Sequence, residues 1–81
     1  MMEVKQEVII YVSNNCSESN KLIDFLKQAN IAYKLKNITE DKKYLKELQE
    51  QHIYATPVTQ INDRVILGFQ KRKLESELMI S

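Results

Sequence analysis

Few side chains in this 81-residue chain can make or break a covalent bond, and the one that stands out is Cys16. As the only cysteine it excludes an internal disulfide, and the single histidine, His52, excludes a multi-histidine zinc site. One glycine, Gly68, is too few for a glycine-rich phosphate cradle. Cys16 follows the apolar run Val8-Ile9-Ile10-Tyr11-Val12 and the turn-forming Ser13-Asn14-Asn15, and it precedes an amphipathic stretch. It therefore sits where a strand hands over to a helix, and partial positive charge at a helix N-terminus favours the thiolate, the nucleophilic form of the side chain. The structural alternative is a small apolar side chain tucked under the helix start, since free cysteine is among the most buried residue types. Glu18 in the first turn, and the lack of Lys or Arg between Val8 and Asn20, argue against a strongly depressed thiol pKa.

The elements that must position Cys16 follow from periodicity. Val8 to Val12 reads as a strand covered on both faces. From Ser17 to Gln28 the apolar residues Leu22, Ile23, Phe25 and Leu26, with Ala29 beyond, recur at three and four, which predicts a helix stopped by Asn30. Ile31 to Asn37 partly alternates and predicts a second strand. Thr39, with Glu40 and Asp41, offers a capping hydroxyl and two carboxylates for a helix carrying Tyr44, Leu45 and Leu48 and ending near Gln51-His52. Pro57 lacks an amide donor, so the next strand runs from Val58 to about Ile61, turns through Asn62-Asp63-Arg64 and returns as Val65-Ile66-Leu67. Leu74, Leu78 and Met79 mark a terminal helix after Gly68. Single helices between strands imply parallel pairing, and the late hairpin adds an antiparallel strand. The expected architecture is α/β with the order βαβαββα, a mixed four-stranded sheet and helices on both faces.

Composition narrows the partners. Twelve Lys plus Arg against eleven Asp plus Glu give a net charge of +1, and 43% hydrophobic residues describe an ordinary globule of one domain over residues 1–81. No nucleic-acid partner is expected without a basic field, and no membrane association without a long apolar run. A lone thiol favours a reducing cytoplasm, and a monomer is expected.

The blocks Tyr11-Val12-Ser13-Asn14-Asn15-Cys16-Ser17-Glu18-Ser19, Phe25-Leu26-Lys27, Ile31-Ala32-Tyr33, Asn37-Ile38, Thr56-Pro57-Val58 and Gly68-Phe69 resemble a glutaredoxin of the thioredoxin fold across nearly the whole chain. The resemblance implies that Cys16 is the nucleophile and that Ser19 stands where a dithiol member has its second, resolving cysteine. It implies a cis Thr56-Pro57 bond beside the thiol, with Thr56, Pro57, Gly68, Phe69 and Tyr11 as the residues around a bound disulfide or glutathione. No metal and no resident cofactor are implied; glutathione would be a co-substrate. Three positions depart from the usual pattern. Ser19 makes the motif Cys-x-x-Ser, Ser13 replaces a basic residue, and Gly68-Phe69-Gln70-Lys71 replaces a Gly-Gly followed by acids. Gly68-Phe69 resembles the small glutaredoxin-like electron donors recharged by thioredoxin reductase, a route that normally needs two cysteines.

Two functions follow as expectations. The first is a thiol-disulfide oxidoreductase in which Cys16 attacks a protein or small-molecule disulfide and an external thiol releases it. The second is a redox-silent binding module that keeps the fold and its groove. Among the remaining residues, Tyr11 reads chiefly as core with its hydroxyl reaching an edge, Ser17 and Ser19 as amide caps of the helix start, and His52 and Lys71-Arg72-Lys73 as solvated side chains. Phe69 is balanced between core packing and a partner contact near Cys16.

Overall fold

A computed structural model describes residues 7–78. The elements are β1 (Val8–Val12), α1 (Ser17–Gln28), β2 (Lys34–Asn37), α2 (Lys42–Glu50), β3 (Val58–Ile61), β4 (Arg64–Leu67) and α3 (Lys71–Leu78), in the order expected. They form one sheet with strand order β2-β1-β3-β4. β1 pairs parallel with β2, bringing Ile9 opposite Lys34, and antiparallel with β3, bringing Tyr11 opposite Val58. β4 pairs antiparallel with β3.

The second crossover corrects the expectation of parallel pairing. The link 38–57 starts and ends at the same end of the sheet, so β3 runs against both β1 and β2. One helix forces parallel pairing only if the chain stays at the far end after it. Here the tail 51–57, at up to about 3.3 Å per residue, is long enough to bring the chain back.

Both sheet faces are covered, which is why β1 is apolar at every position. On one face Val8, Ile10 and Val12 pack with Leu22 and Leu26 of α1, Ile61, Ile66, and Leu74 and Leu78 of α3. On the other, Tyr11 and Val58 pack with Leu48 of α2, flanked by Ile9, Ile38, Tyr44 and Ile53. Helix α1 has the bounds that periodicity predicts, and Asn30 stops it in the left-handed region with φ 58°. Strand β2 is shorter than expected: the Ile31 amide bonds back to the Leu26 carbonyl, so pairing starts only at Lys34. The cap of α2 is Asp41, whose carboxylate accepts from the Lys43 amide at 3.0 Å. Thr39, expected in that role, instead accepts from the Asn14 amide at 3.0 Å. Met79 lies outside the described residues.

Candidate functional site

Cys16 is the N-cap of α1, with extended backbone angles, and its carbonyl accepts the Asn20 amide at 3.1 Å. Asn15 ahead of it takes φ 58°, a turn that Asn tolerates because its short polar side chain relieves the left-handed region. The loop is pinned from β2: Asn37 Nδ2 donates to Asn14 Oδ1 at 2.9 Å, while Asn37 Oδ1 accepts the Thr39 and Glu40 amides. The sulfur is half-buried and free, so it is reachable and its position is set by both neighbouring strands.

Small hydroxyl side chains surround the thiol. Ser19, one turn into α1, is only 1% exposed. Its hydroxyl does not cap the helix as expected, and no partner meets it with good hydrogen-bond geometry. Ser13 and Thr56 share a 2.8 Å hydrogen bond that joins the end of β1 to the segment before β3, and the Thr56–Pro57 bond is cis. The thiol pKa is lowered, first by the Ser19 hydroxyl and then by the Ser19 amide, with smaller contributions from the Glu18 amide and the Ser13 hydroxyl; partial burial opposes them. The neutral thiol gives the Ser19 hydroxyl no well-formed bond.

Glu18 does not press its charge on the sulfur unpaired, because Oε1 accepts the Phe69 amide at 3.1 Å. Gly68 takes φ +75°, and its amide donates to the Pro57 carbonyl at 2.8 Å. The structure therefore brings Cys16, Ser19, Thr56, Pro57, Gly68 and Phe69 to one end of the sheet. Phe69 packs edge to face on Phe25, ring centres 5.9 Å apart, and joins the core below α1 and α3.

Tyr11 is placed differently. It is 3% exposed, and its hydroxyl donates to Glu47 at 3.0 Å beneath α2, so it offers no hydroxyl to a ligand beside the thiol. Lys36 completes that cluster with a 2.9 Å ion pair to the same carboxylate oxygen. Ser13 and the Asn14–Asn37–Thr39 network are the site residues that sequence reasoning missed. The substitution of Ser13 for a basic residue marked the position without revealing its partner. Among the described residues, no three His, Cys, Asp or Glu side chains cluster to hold a metal ion, and no helix is long and apolar enough to cross a membrane.

Comparison with known proteins agrees with this geometry. The glutaredoxin family profile matches residues 8–66, while no curated protein sequence matches the chain. Among solved structures, a point mutant of the thioredoxin-like protein BC3987 superposes with TM-score 0.88 at 29% identity, over 93% of this chain and 97% of that one. A glutaredoxin from Archaeoglobus fulgidus gives 0.75 at 24%, covering 89% and 85%, and NrdH-redoxin from Escherichia coli gives 0.77 at 16%, covering 93% and 95%. The last two speak to the fold alone. Glutaredoxins generally need no resident cofactor and take glutathione as a co-substrate. A profile match spanning most of the chain, on a thioredoxin-like fold with one cysteine at the head of α1, establishes that the chain belongs to the glutaredoxin family.

Proposed function

We propose that the protein is a thiol-disulfide oxidoreductase working through Cys16 alone. The Cys16 thiolate attacks one sulfur of a protein or small-molecule disulfide, forms a mixed disulfide and expels the other sulfur as a thiolate. An external thiolate, glutathione being the family's usual one, then attacks the substrate sulfur of the mixed disulfide, forms a reductant–substrate disulfide and releases Cys16 as thiolate; a second reductant thiolate attacks the reductant sulfur of that disulfide, so that two reductant thiols become one disulfide and both substrate sulfurs leave as thiols. Thr56, Pro57, Gly68 and Phe69 border the substrate, and the reaction belongs in a reducing compartment such as the cytoplasm. The observation that carries this reading is a half-exposed thiol at a helix N-terminus whose pKa is drawn down by hydroxyls and amides.

The test is turnover of a small disulfide by wild type and Cys16→Ser with glutathione or with thioredoxin reductase. We expect turnover that rises with glutathione, none from Cys16→Ser, and little from the reductase alone, because Ser19 cannot form the internal disulfide which that route needs. Equal inactivity of both proteins under every reductant would leave the redox-silent binding module as the function.

A further inference from the structure

We propose that Glu18 is the charge selector of the thiol site, favouring disulfides and thiols that carry a cation beside the sulfur and holding back anionic ones. The inference rests on the oxidoreductase reading and adds a substrate class to it. Its basis is a closed rim of hydrogen bonds around Cys16. The Ser13 and Thr56 hydroxyls meet at 2.8 Å, the Pro57 carbonyl accepts the Gly68 amide at 2.8 Å, and Glu18 Oε1 accepts the Phe69 amide at 3.1 Å. Segments 13–18, 56–57 and 68–69 are thereby joined into a ring, and Cys16 lies within the first of them.

Within those three segments Glu18 is the one charged residue. Two peptide units separate it from Cys16, so their Cα atoms lie no more than about 7.6 Å apart. The carboxylate is fixed from the far side as well. Its bond to the Phe69 amide holds Oε1 against the β4–α3 loop, where a Cβ on Gly68 would lie 3.4 Å from it. An amide donor orients a carboxylate without removing its charge. A disulfide that reaches the Cys16 sulfur through the rim therefore meets one fixed negative charge.

No cation on the rim offsets that charge. The ion pairs among the described residues, Lys36–Glu47 and Arg64–Glu77, leave Glu18 out. Lys21 and Lys71 lie outside the ring, where they line a hollow beside Phe25 and Phe69 together with Asp24. A charge placed at the mouth of a site sorts incoming ions by sign. Because the rim is exposed at Glu18, the sorting weakens as salt shortens the screening length from about 10 Å at 0.1 M to about 3 Å at 1 M.

In the selected step, Cys16–S⁻ and R–S–S–R become Cys16–S–S–R and R–S⁻: one S–S bond breaks as another forms, and the retained R group stands at the rim. The probes are cystamine, with an ammonium on each arm, the neutral 2-hydroxyethyl disulfide, and 3,3′-dithiodipropionate, with a carboxylate on each arm. Formation of the Cys16 mixed disulfide is followed by mass spectrometry for wild type and Glu18→Gln. Rates are compared at equal thiolate, taken from the pH midpoint of Cys16 alkylation by the neutral reagent iodoacetamide. The thiolate itself repels anions in both proteins, so their difference isolates Glu18. Gln keeps an oxygen for the Phe69 amide, which separates loss of charge from opening of the rim. Relative to the neutral disulfide, Glu18→Gln should react several-fold more slowly with cystamine and several-fold faster with dithiodipropionate. Raising salt from about 0.1 M to about 1 M should bring wild type towards the variant.

The same cation-to-anion rate ratio in both proteins, with circular dichroism showing them folded, would overturn the selector. So would a ratio that moves in Glu18→Ala but not in Glu18→Gln, which would make the link to Phe69 the cause rather than the charge. Mixed-disulfide formation is a single event and needs no turnover. A shifted ratio in a protein that turns over no disulfide with any thiol would therefore retain the selector and discard the oxidoreductase reading, and turnover with an unshifted ratio would do the reverse.

Discussion

Two polar clusters flank β1, and they are built on opposite principles. Beneath α2, one carboxylate oxygen of Glu47 serves both the Tyr11 hydroxyl and the Lys36 ammonium, and Lys36 lies 5.3 Å and 5.4 Å from the Tyr11 and Tyr44 ring centres. At the head of α1, the Ser19 hydroxyl is left without a well-formed partner beside a thiol. The first cluster is complete in the resting protein, so it can only hold the fold. The second is left open beside the nucleophile. Being unsatisfied is not enough to mark chemistry, since the Thr59 hydroxyl on β3, 0% exposed, also lacks a partner; Ser19 differs by lying one turn from the thiol.

The largest change should come from the α2 side. Leu48 is 1% exposed and is the fully buried contact of α2 with Tyr11 and Val58. Leu48→Ala removes it from the wall of a cavity of about 160 Å³, also lined by Ile38, Leu45 and Ile53, and should cost about 2–4 kcal/mol. For a domain of this size that lowers the melting temperature by roughly 10–20 °C. In the folded protein the Cys16 alkylation midpoint should stay in place. A large shift in that midpoint would show that the two clusters are coupled through β1 and break the contrast.

Gly68→Ala tests the other side with a smaller effect. At φ +75° an alanine is strained, and its Cβ would lie 3.4 Å from Glu18 Oε1. The expected cost is on the order of 1 kcal/mol or more. Because the Glu18–Phe69 bond lies beside Cys16, this variant should also alter the alkylation rate, unlike Leu48→Ala. An unchanged melting temperature and rate would remove the β4–α3 loop from the site.

What could be seen in the sequence was what is decided locally. Helix α1 and its stop at Asn30 follow from spacing and from a residue that tolerates the left-handed region, and Cys16 stood out because a lone thiol fell between a strand and a helix. The misreadings each have a distant cause. Thr39 lost its capping role to Asn14, 25 positions away, and Asp41 took over. Glu18 read as a charge opposing the thiolate, but the Phe69 amide, 51 positions on, engages it. Tyr11 read chiefly as core with its hydroxyl reaching an edge, and only the fold shows that the edge is Glu47 of α2, 36 positions on. The Ser13–Thr56 bond depends on β3 running antiparallel to β1, and a helix between two strands does not determine that direction.

The smallest effect concerns pH and separates the two clusters by sign. Glu47 is held below the ordinary 4.5, first by its hydrogen bond from Lys36. Its contribution to stability is thus complete above about pH 4.5 and is lost as pH falls through the lower folded value. Lys36 is raised above 10.5, first by the bond to Glu47, and Tyr11 above 10.0, first by burial. Those contributions are complete below the ordinary values and are lost as pH rises through the folded ones. The α2 cluster therefore supports the fold across the neutral range. Cys16 behaves oppositely to Lys36 and Tyr11: its thiol is lowered from 9.0, so its contribution is absent at low pH, grows as pH rises through the folded value and is complete above 9. Glu47→Gln should cost about 1 kcal/mol or less at pH 7, since the Glu47 side chain is 35% exposed and solvent screens the pair. Urea unfolding of wild type and Glu47→Gln at pH 3, 7 and 9 measures the difference. It should shrink towards pH 3, because below about 4.5 the unfolded chain takes up the Glu47 proton ahead of the folded one, and persist at pH 9, while Cys16→Ser should lose stability relative to wild type only towards pH 9. A Glu47→Gln penalty as large at pH 3 as at pH 7 would mean that this side chain acts through packing or a neutral hydrogen bond rather than through its charge.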